Sequence, residues 1–175
     1  MAPPGFEGGG HQWFSLQDMS AEARLAGTQT TAPVLDAFID QELERVGLRP
    51  DKLAIVGFSQ GTMMSLYVIP RRDEAVAGVV GYSGMLVGQE LLPDAIKSRP
   101  PVLLVHGDED DVVPVDALPQ AVGGLEAVGI TARHHSCPGL GHGLDDAGVR
   151  HGMDFLADIF GVDLQAMAAE TPPGI

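Results

Sequence analysis

Short apolar runs alternate along the chain with stretches in which apolar residues recur every three or four positions. Leu53-Ala54-Ile55-Val56, Ala75 to Tyr82, Pro101 to Val105 and Ile130 to His135 read as strands. Their largely continuous apolar character is that of a sheet buried on both faces. Val34, Leu35, Phe38, Ile39, Leu43 and Val46 recur at helical steps and predict an amphipathic helix over 31–47. Asp40, Glu42 and Glu44 fall on its solvent side, and Gly47 ends it. A second helix follows Ser59 through Met63, Met64, Leu66 and Tyr67 until Pro70 stops it. It is apolar nearly all round, as a buried helix is. Further helices are predicted over 115–128 and over 147–160, the last carrying Val149, Met153, Phe155, Leu156 and Ile159. The alternation predicts an α/β fold, a mostly parallel sheet flanked by helices. Pro3-Pro4 and Gly8-Gly9-Gly10 mark an irregular start. Residues 1–11 and 165–175 are expected to be irregular, with 171–175 loose. No repeat or linker interrupts the pattern, so 1–175 read as a single domain, which 175 residues suit.

Chemistry concentrates where the predicted strands end. Gly57-Phe58-Ser59-Gln60-Gly61 sits between the first strand and the helix after it, the context that a G-x-S-x-G nucleophile elbow requires. Glycines at 57 and 61 let the backbone pass close to the turn. Ser59 is then held in a strained conformation with its hydroxyl presented above the sheet. Gln60 opens a helix whose first N–H groups have no internal acceptor and can receive an oxyanion. After the third strand comes His106-Gly107-Asp108-Glu109-Asp110-Asp111, and after the fourth Gly139-Leu140-Gly141-His142-Gly143. Open α/β sheets gather their ligands in such loops. The chain order Ser, Asp, His is that of α/β-hydrolases and of neither other well-known serine hydrolase arrangement. Asp108, Asp110 and Asp111 all compete for the acid role.

From Gln12-Trp13-Phe14 to about Phe160, the words QWF, GFSQGTMMSL, GYSGML, PVLLVHGDEDDVVP and PGLGHGLD resemble the carboxylesterase/phospholipase family of α/β-hydrolases. That group includes acyl-protein thioesterases and small bacterial esterases. The resemblance implies hydrolysis of carboxylic esters or thioesters of short-to-medium acyl chains through an acyl-enzyme, without metal or cofactor. It carries the nucleophile onto Ser59, the base onto His142 and, by the family's H-G-D-x-D pattern, the acid onto Asp110. Asp108 is then assigned to bracing its loop by local hydrogen bonds. Family members begin with further strands, one ending in an L-H-G-x-G loop that supplies a second oxyanion donor. Residues 1–11 resemble the loop after those strands, so the chain is expected to lack that N-terminal part. Without the neighbouring strand, 53–58 would form an apolar sheet edge through which copies associate. The alternative to an active esterase is therefore a truncated, weakly active or non-catalytic chain acting through self-association or acyl binding.

Composition narrows the partners. The net charge of −14, from 10 basic and 24 acidic residues, repels nucleic-acid phosphates. No apolar run approaches the ~18–20 residues that span a bilayer, and the start has no secretory signal pattern. The single cysteine, Cys137, cannot form an internal disulfide and fits a cytoplasmic setting; it reads as a packed core residue. His134 and His135, adjacent in a strand, point to opposite faces and cannot ligate one metal together. His106 and His151 lack spaced ligand partners, and His11 reads as solvated. Trp13, Phe14 and Leu16 form an apolar patch that serves either the core or an acyl pocket. Met85 and Leu86, after the second strand, are further acyl-pocket candidates.

Overall fold

The computed structural model describes residues 11–18, 20–164 and 166; the Pro/Gly-rich start at 1–10 and the tail at 171–175 lie outside them. Among the described residues the sheet has four parallel strands in chain order: β1 (Ala54–Phe58), β2 (Gly78–Tyr82), β3 (Val102–Gly107) and β4 (Ala132–Cys137). The helices between and around them are α1 (Ala21–Val46), α2 (Gln60–Val68), the one-turn α3 (Leu92–Ala95), α4 (Ala117–Ala127) and α5 (Asp146–Phe160).

The central strands are buried along their whole length, and successive side chains alternate between two cores. Val79, Val102 and Leu104 pack with α1, α2 and α4, whereas Val80, Tyr82, Leu103 and Val105 pack with Phe155 of α5. The expectation of strands buried on both faces fails at the two edges. Val56 and Phe58 of β1 remain 58% and 40% exposed, because α5 packs on β2, β3 and β4. In β4, Arg133, His134 and Ser136 are exposed. β4 also starts at Ala132 rather than Ile130, and β1 continues through Gly57 and Phe58, so the turn falls on Ser59 alone.

Helix α1 begins at Ala21, well before position 31, where apolar periodicity places it. Ser20 caps it by accepting the Ala23 N–H (3.2 Å). The first half buries Thr28 and leaves Gly27 beneath Phe14. A Cβ at Gly27 would lie 2.5 Å from the Phe14 Cβ. Close approach replaces a large apolar stripe there, so periodicity is blind to it. In the second half Leu35, Ile39 and Leu43 are buried, while Val34, Phe38 and Val46 are exposed. Gly47 ends the helix in the left-handed conformation (φ 65°). Arg72, just beyond α2, is paired with both Asp36 and Asp40 of α1.

Helix α5 differs from its predicted face in the same way. Phe155 is buried, but Val149 and Met153 are exposed, and Gly148 and Gly152 face the sheet. A Cβ on Gly152 would lie 2.0 Å from the Tyr82 hydroxyl. The glycines let a tyrosine fill the space that larger helix residues would take. Past α5, Leu164 and Ala166 are helical, with Asp163 Oδ1 accepting the Ala166 N–H (3.0 Å), whereas the sequence predicts irregular chain from 165. No described helix is long and apolar enough to cross a membrane.

Candidate active site

Ser59 sits at the end of β1 with φ 53° and ψ −115°, a conformation that a non-glycine residue holds only under strain. Its N–H donates to the Tyr82 carbonyl (2.9 Å), and Thr62 donates its hydroxyl to the same oxygen (2.8 Å). The two bonds pin the elbow to β2. Gly57 is required sterically, since a Cβ there would meet Gly61 C and Thr62 N at 2.6 Å. Gly61, assigned the same role from sequence, differs: a Cβ at that position would meet nothing within 4 Å. Only one of the two glycines is a contact requirement. As first residue of α2, Gln60 has no intrahelical acceptor for its N–H.

The Gln60 side chain has a function that sequence reasoning missed. Its Oε1 accepts the Trp13 N–H (2.8 Å) and its Nε2 donates to the Phe14 carbonyl (2.9 Å). It thereby clamps the segment before α1 onto the elbow.

Asp110 lies in the turn after β3, its side chain fully buried. Val112 and Val113 donate their N–H groups to Oδ1 (2.9 and 2.8 Å), and His142 Nδ1 lies 2.8 Å from Oδ2. Burial pushes the carboxyl up. The hydrogen bonds from His142, Val113 and Val112 outweigh that and hold it below the usual carboxylate range. An ionised Asp110 makes Nδ1 the protonated nitrogen of a neutral His142, leaving the Nε2 lone pair toward Ser59 Oγ, 3.0 Å away. Ser59, His142 and Asp110 thus form one hydrogen-bonded line, and Asp111 is exposed outside it.

His106 is the second residue that sequence reasoning left without a role. Fully buried at the end of β3, it places Nε2 2.8 Å from the Val113 carbonyl and 3.3 Å from Asp110 Oδ2. The same nitrogen borders the turn and the carboxylate, so it braces the far side of Asp110. The only signal in the sequence was its place at a strand end. His135 and His151 were not paired from sequence either, yet their ring centroids lie 3.9 Å apart between β4 and α5, the planes tilted by 39°. His11 is exposed.

Asp108 braces the site, but not locally as expected. Its Oδ1 accepts the Gly139 N–H (2.6 Å), tying the turn after β3 to the histidine loop. Glu109 N–H to the Leu140 carbonyl (3.0 Å) adds a second tie. Gly139 takes φ 70° where the loop leaves β4. At the root of that loop, Cys137 is fully buried and bonded to Asp145 Oδ1 (3.5 Å). Burial first, and Asp145 second, push its thiol up to about 11. A raised thiol pKa means less thiolate at any pH below it. At pH 8 we expect Cys137 to react with Ellman's reagent at least about a hundredfold more slowly than a free thiol of pKa ~8.5. Rapid labelling of the folded chain would contradict its burial.

The acyl-pocket candidates separate. Met85 and Leu86 line a cleft of about 620 Å³ with Leu25, Val112, Ala117 and Ala121. Of its lining residues, Val112 reaches the hydrogen-bonded line, donating its N–H to Asp110 Oδ1, whereas Ser59 and His142 do not line the cleft. Trp13 instead lines a second groove of about 320 Å³, along β1 with Phe38, Val56 and Phe58. Trp13 and Met85 therefore do not form one wall.

These loops can be compared with known proteins. The chain is 27% identical over 154 residues to acyl-protein thioesterase 1 of Debaryomyces hansenii, covering 84% of this chain and 66% of that protein. It is 26% identical over 155 residues to esterase YpfH of Escherichia coli, covering 89% and 66%. The chain thus spans just under two thirds of the length of either curated relative. The crystal structure of esterase PE8 superposes with a TM-score of 0.83 at 43% identity, over 86% of this chain and 71% of that one. Arabidopsis thaliana SOBER1 superposes at 0.76 with 21% identity, over 91% and 81%, a likeness of fold. The phospholipase/carboxylesterase profile matches residues 1–159, and on that match the chain belongs to the phospholipase/carboxylesterase family.

Proposed function

We propose that this chain is a serine hydrolase cleaving carboxylic esters or thioesters of short-to-medium acyl chains. The observation that carries the reading is the line from Ser59 Oγ to His142 to a buried, ionised Asp110. Ser59 Oγ bonds to the acyl carbon as His142 Nε2 takes its proton, and Asp110 stabilises the resulting imidazolium. The Gln60 N–H receives the oxyanion. Collapse breaks the bond to the alcohol or thiol, which leaves with the proton from His142, and a water repeats the sequence to free the acid. The cleft beside Met85 and Leu86 suits the acyl chain. These steps call for no metal or cofactor. The single cysteine, Cys137, has no partner for an internal disulfide, which fits a cytoplasmic setting. The test is a p-nitrophenyl acetate-to-octanoate series: turnover that peaks at short or medium length supports the proposal, and no turnover at any length contradicts it.

The outer edge of β1 favours a second reading, self-association. Beyond β1 no further strand pairs among the described residues, and Val34, Phe38, Val56 and Phe58 expose apolar surface beside it. Unpaired strand edges template pairing with another copy. Charge of −14 opposes it, so salt should favour it by screening. Light scattering at micromolar concentration is expected to show dimers or larger species that increase from 50 to 500 mM NaCl and are lost in Val56→Lys. A monomer at both salt concentrations overturns this reading.

A further inference from the structure

Phe58 ends β1 immediately before Ser59, and its register partner is Tyr82. Its side chain therefore lies on the α5 side of the sheet, yet α5 packs on the other strands and leaves the ring 40% exposed. What the ring does touch is His142: the two centroids are 4.9 Å apart, with the planes tilted by 49°.

The contact matters because of what the hydrogen bonds of His142 leave undetermined. Asp110 holds Nδ1 and Ser59 holds Nε2. The two nitrogens flank Cε1, so together with the covalent link through Cγ these bonds hold the imidazole plane only as firmly as the loop that carries it. A contact to the imidazole from another element opposes tilting independently of that loop. Phe58 provides one, and it comes from the same strand end as the nucleophile. It therefore places the histidine relative to Ser59, although the histidine loop leaves the sheet from the distant strand β4.

A second property follows from the chemistry. The imidazole becomes cationic as the serine proton is transferred, and an aromatic quadrupole beside it favours that state over the neutral one.

The geometry points to Phe58 as a positioning residue of the proposed esterase, holding the His142 ring in plane with Ser59 and supporting its cationic form. This rests on the proposed hydrolytic reading. Because Phe58 is substantially exposed, its replacement leaves the core intact.

The test compares Phe58→Leu, which keeps apolar bulk, with Phe58→Tyr, which keeps the ring. Phe58→Leu is expected to lose about three- to tenfold in kcat on p-nitrophenyl butyrate at unchanged KM. Labelling of Ser59 by a fluorophosphonate should slow by a similar factor. Phe58→Tyr should stay within about twofold of the parent, and both variants should melt with it. Equal kcat in Phe58→Leu and the parent, or equal losses in Leu and Tyr, would overturn the assignment.

A parent chain that neither turns over nor labels would sink the hydrolytic reading, and positioning is then decided separately by NMR. Nuclear Overhauser contacts between the His142 and Phe58 rings are expected in the parent, with His142 in more than one orientation in Phe58→Leu. A single unchanged His142 orientation in Phe58→Leu would overturn the proposal whatever the activity.

Discussion

Ser59→Ala is expected to lower kcat on p-nitrophenyl esters by about 10⁴–10⁶-fold, the loss that accompanies removal of a serine nucleophile from such an arrangement. The expectation follows from how little else the hydroxyl does. The hydrogen bond that Ser59 Oγ makes is to His142 Nε2. The strained backbone at φ 53° is held by the Ser59 N–H to Tyr82 and by Thr62, and alanine keeps both. Stability should therefore change by less than about 1 kcal/mol, as thermal melts would show. A variant that folds normally and retains a tenth of the parent rate would assign the hydrolysis to another group.

The second large effect is expected at a residue that touches no substrate. A Cβ on Gly107 would lie 2.1 Å from the Leu140 carbonyl oxygen and 2.5 Å from that of Gly141. Both are backbone atoms, so no side chain can turn aside. Gly107→Ala must push the histidine loop outward, and a displacement near 1 Å in such a constellation costs about 10²-fold in rate. Overpacking of this kind also destabilises by about 1–3 kcal/mol. Measured together, kcat should fall about a hundredfold while the protein still melts cooperatively at a lower temperature. Gly123→Ala is the control: an exposed position of α4 where an added Cβ meets nothing within 4 Å. It should stabilise by about 0.5–1 kcal/mol through helix propensity and leave kcat alone. Full activity in Gly107→Ala would mean that the loop does not depend on close passage over β3.

The contrast between these two positions explains what could be read before the structure. Ser59 was legible because a nucleophile elbow is a local event: strand, strained residue and helix follow one another in the chain. Asp110 and His142 were legible as loop residues after strands, and motif resemblance then separated Asp110 from Asp108 and Asp111. The contacts of Gly107, His106, the Gln60 side chain and Phe58 were not legible. Each depends on how one loop or strand end lies over another distant in sequence.

The helices show the same boundary. Gly47 and Pro70 mark ends by backbone rules that act locally, and the structure follows them closely. The first half of α1 and the inner face of α5 are built on Gly27, Thr28, Gly148 and Gly152. There a partner's ring or hydroxyl fills the space, so hydrophobic periodicity finds little to count. Residues such as Val34, Val149 and Met153 fit the period but meet no partner. At the sheet edge, the apolar run alone makes Val56 and Phe58 look like core, because it does not say how many strands flank it; the family resemblance is what marks 53–58 as an edge, where the structure has β1.

The most direct measurement is intact-mass spectrometry of the purified chain after a fluorophosphonate, followed by peptide mapping. One adduct on the peptide bearing Ser59, lost in His142→Ala and in acid-unfolded protein, is the predicted result. An unlabelled folded chain, or an adduct on a different serine, would contradict the account.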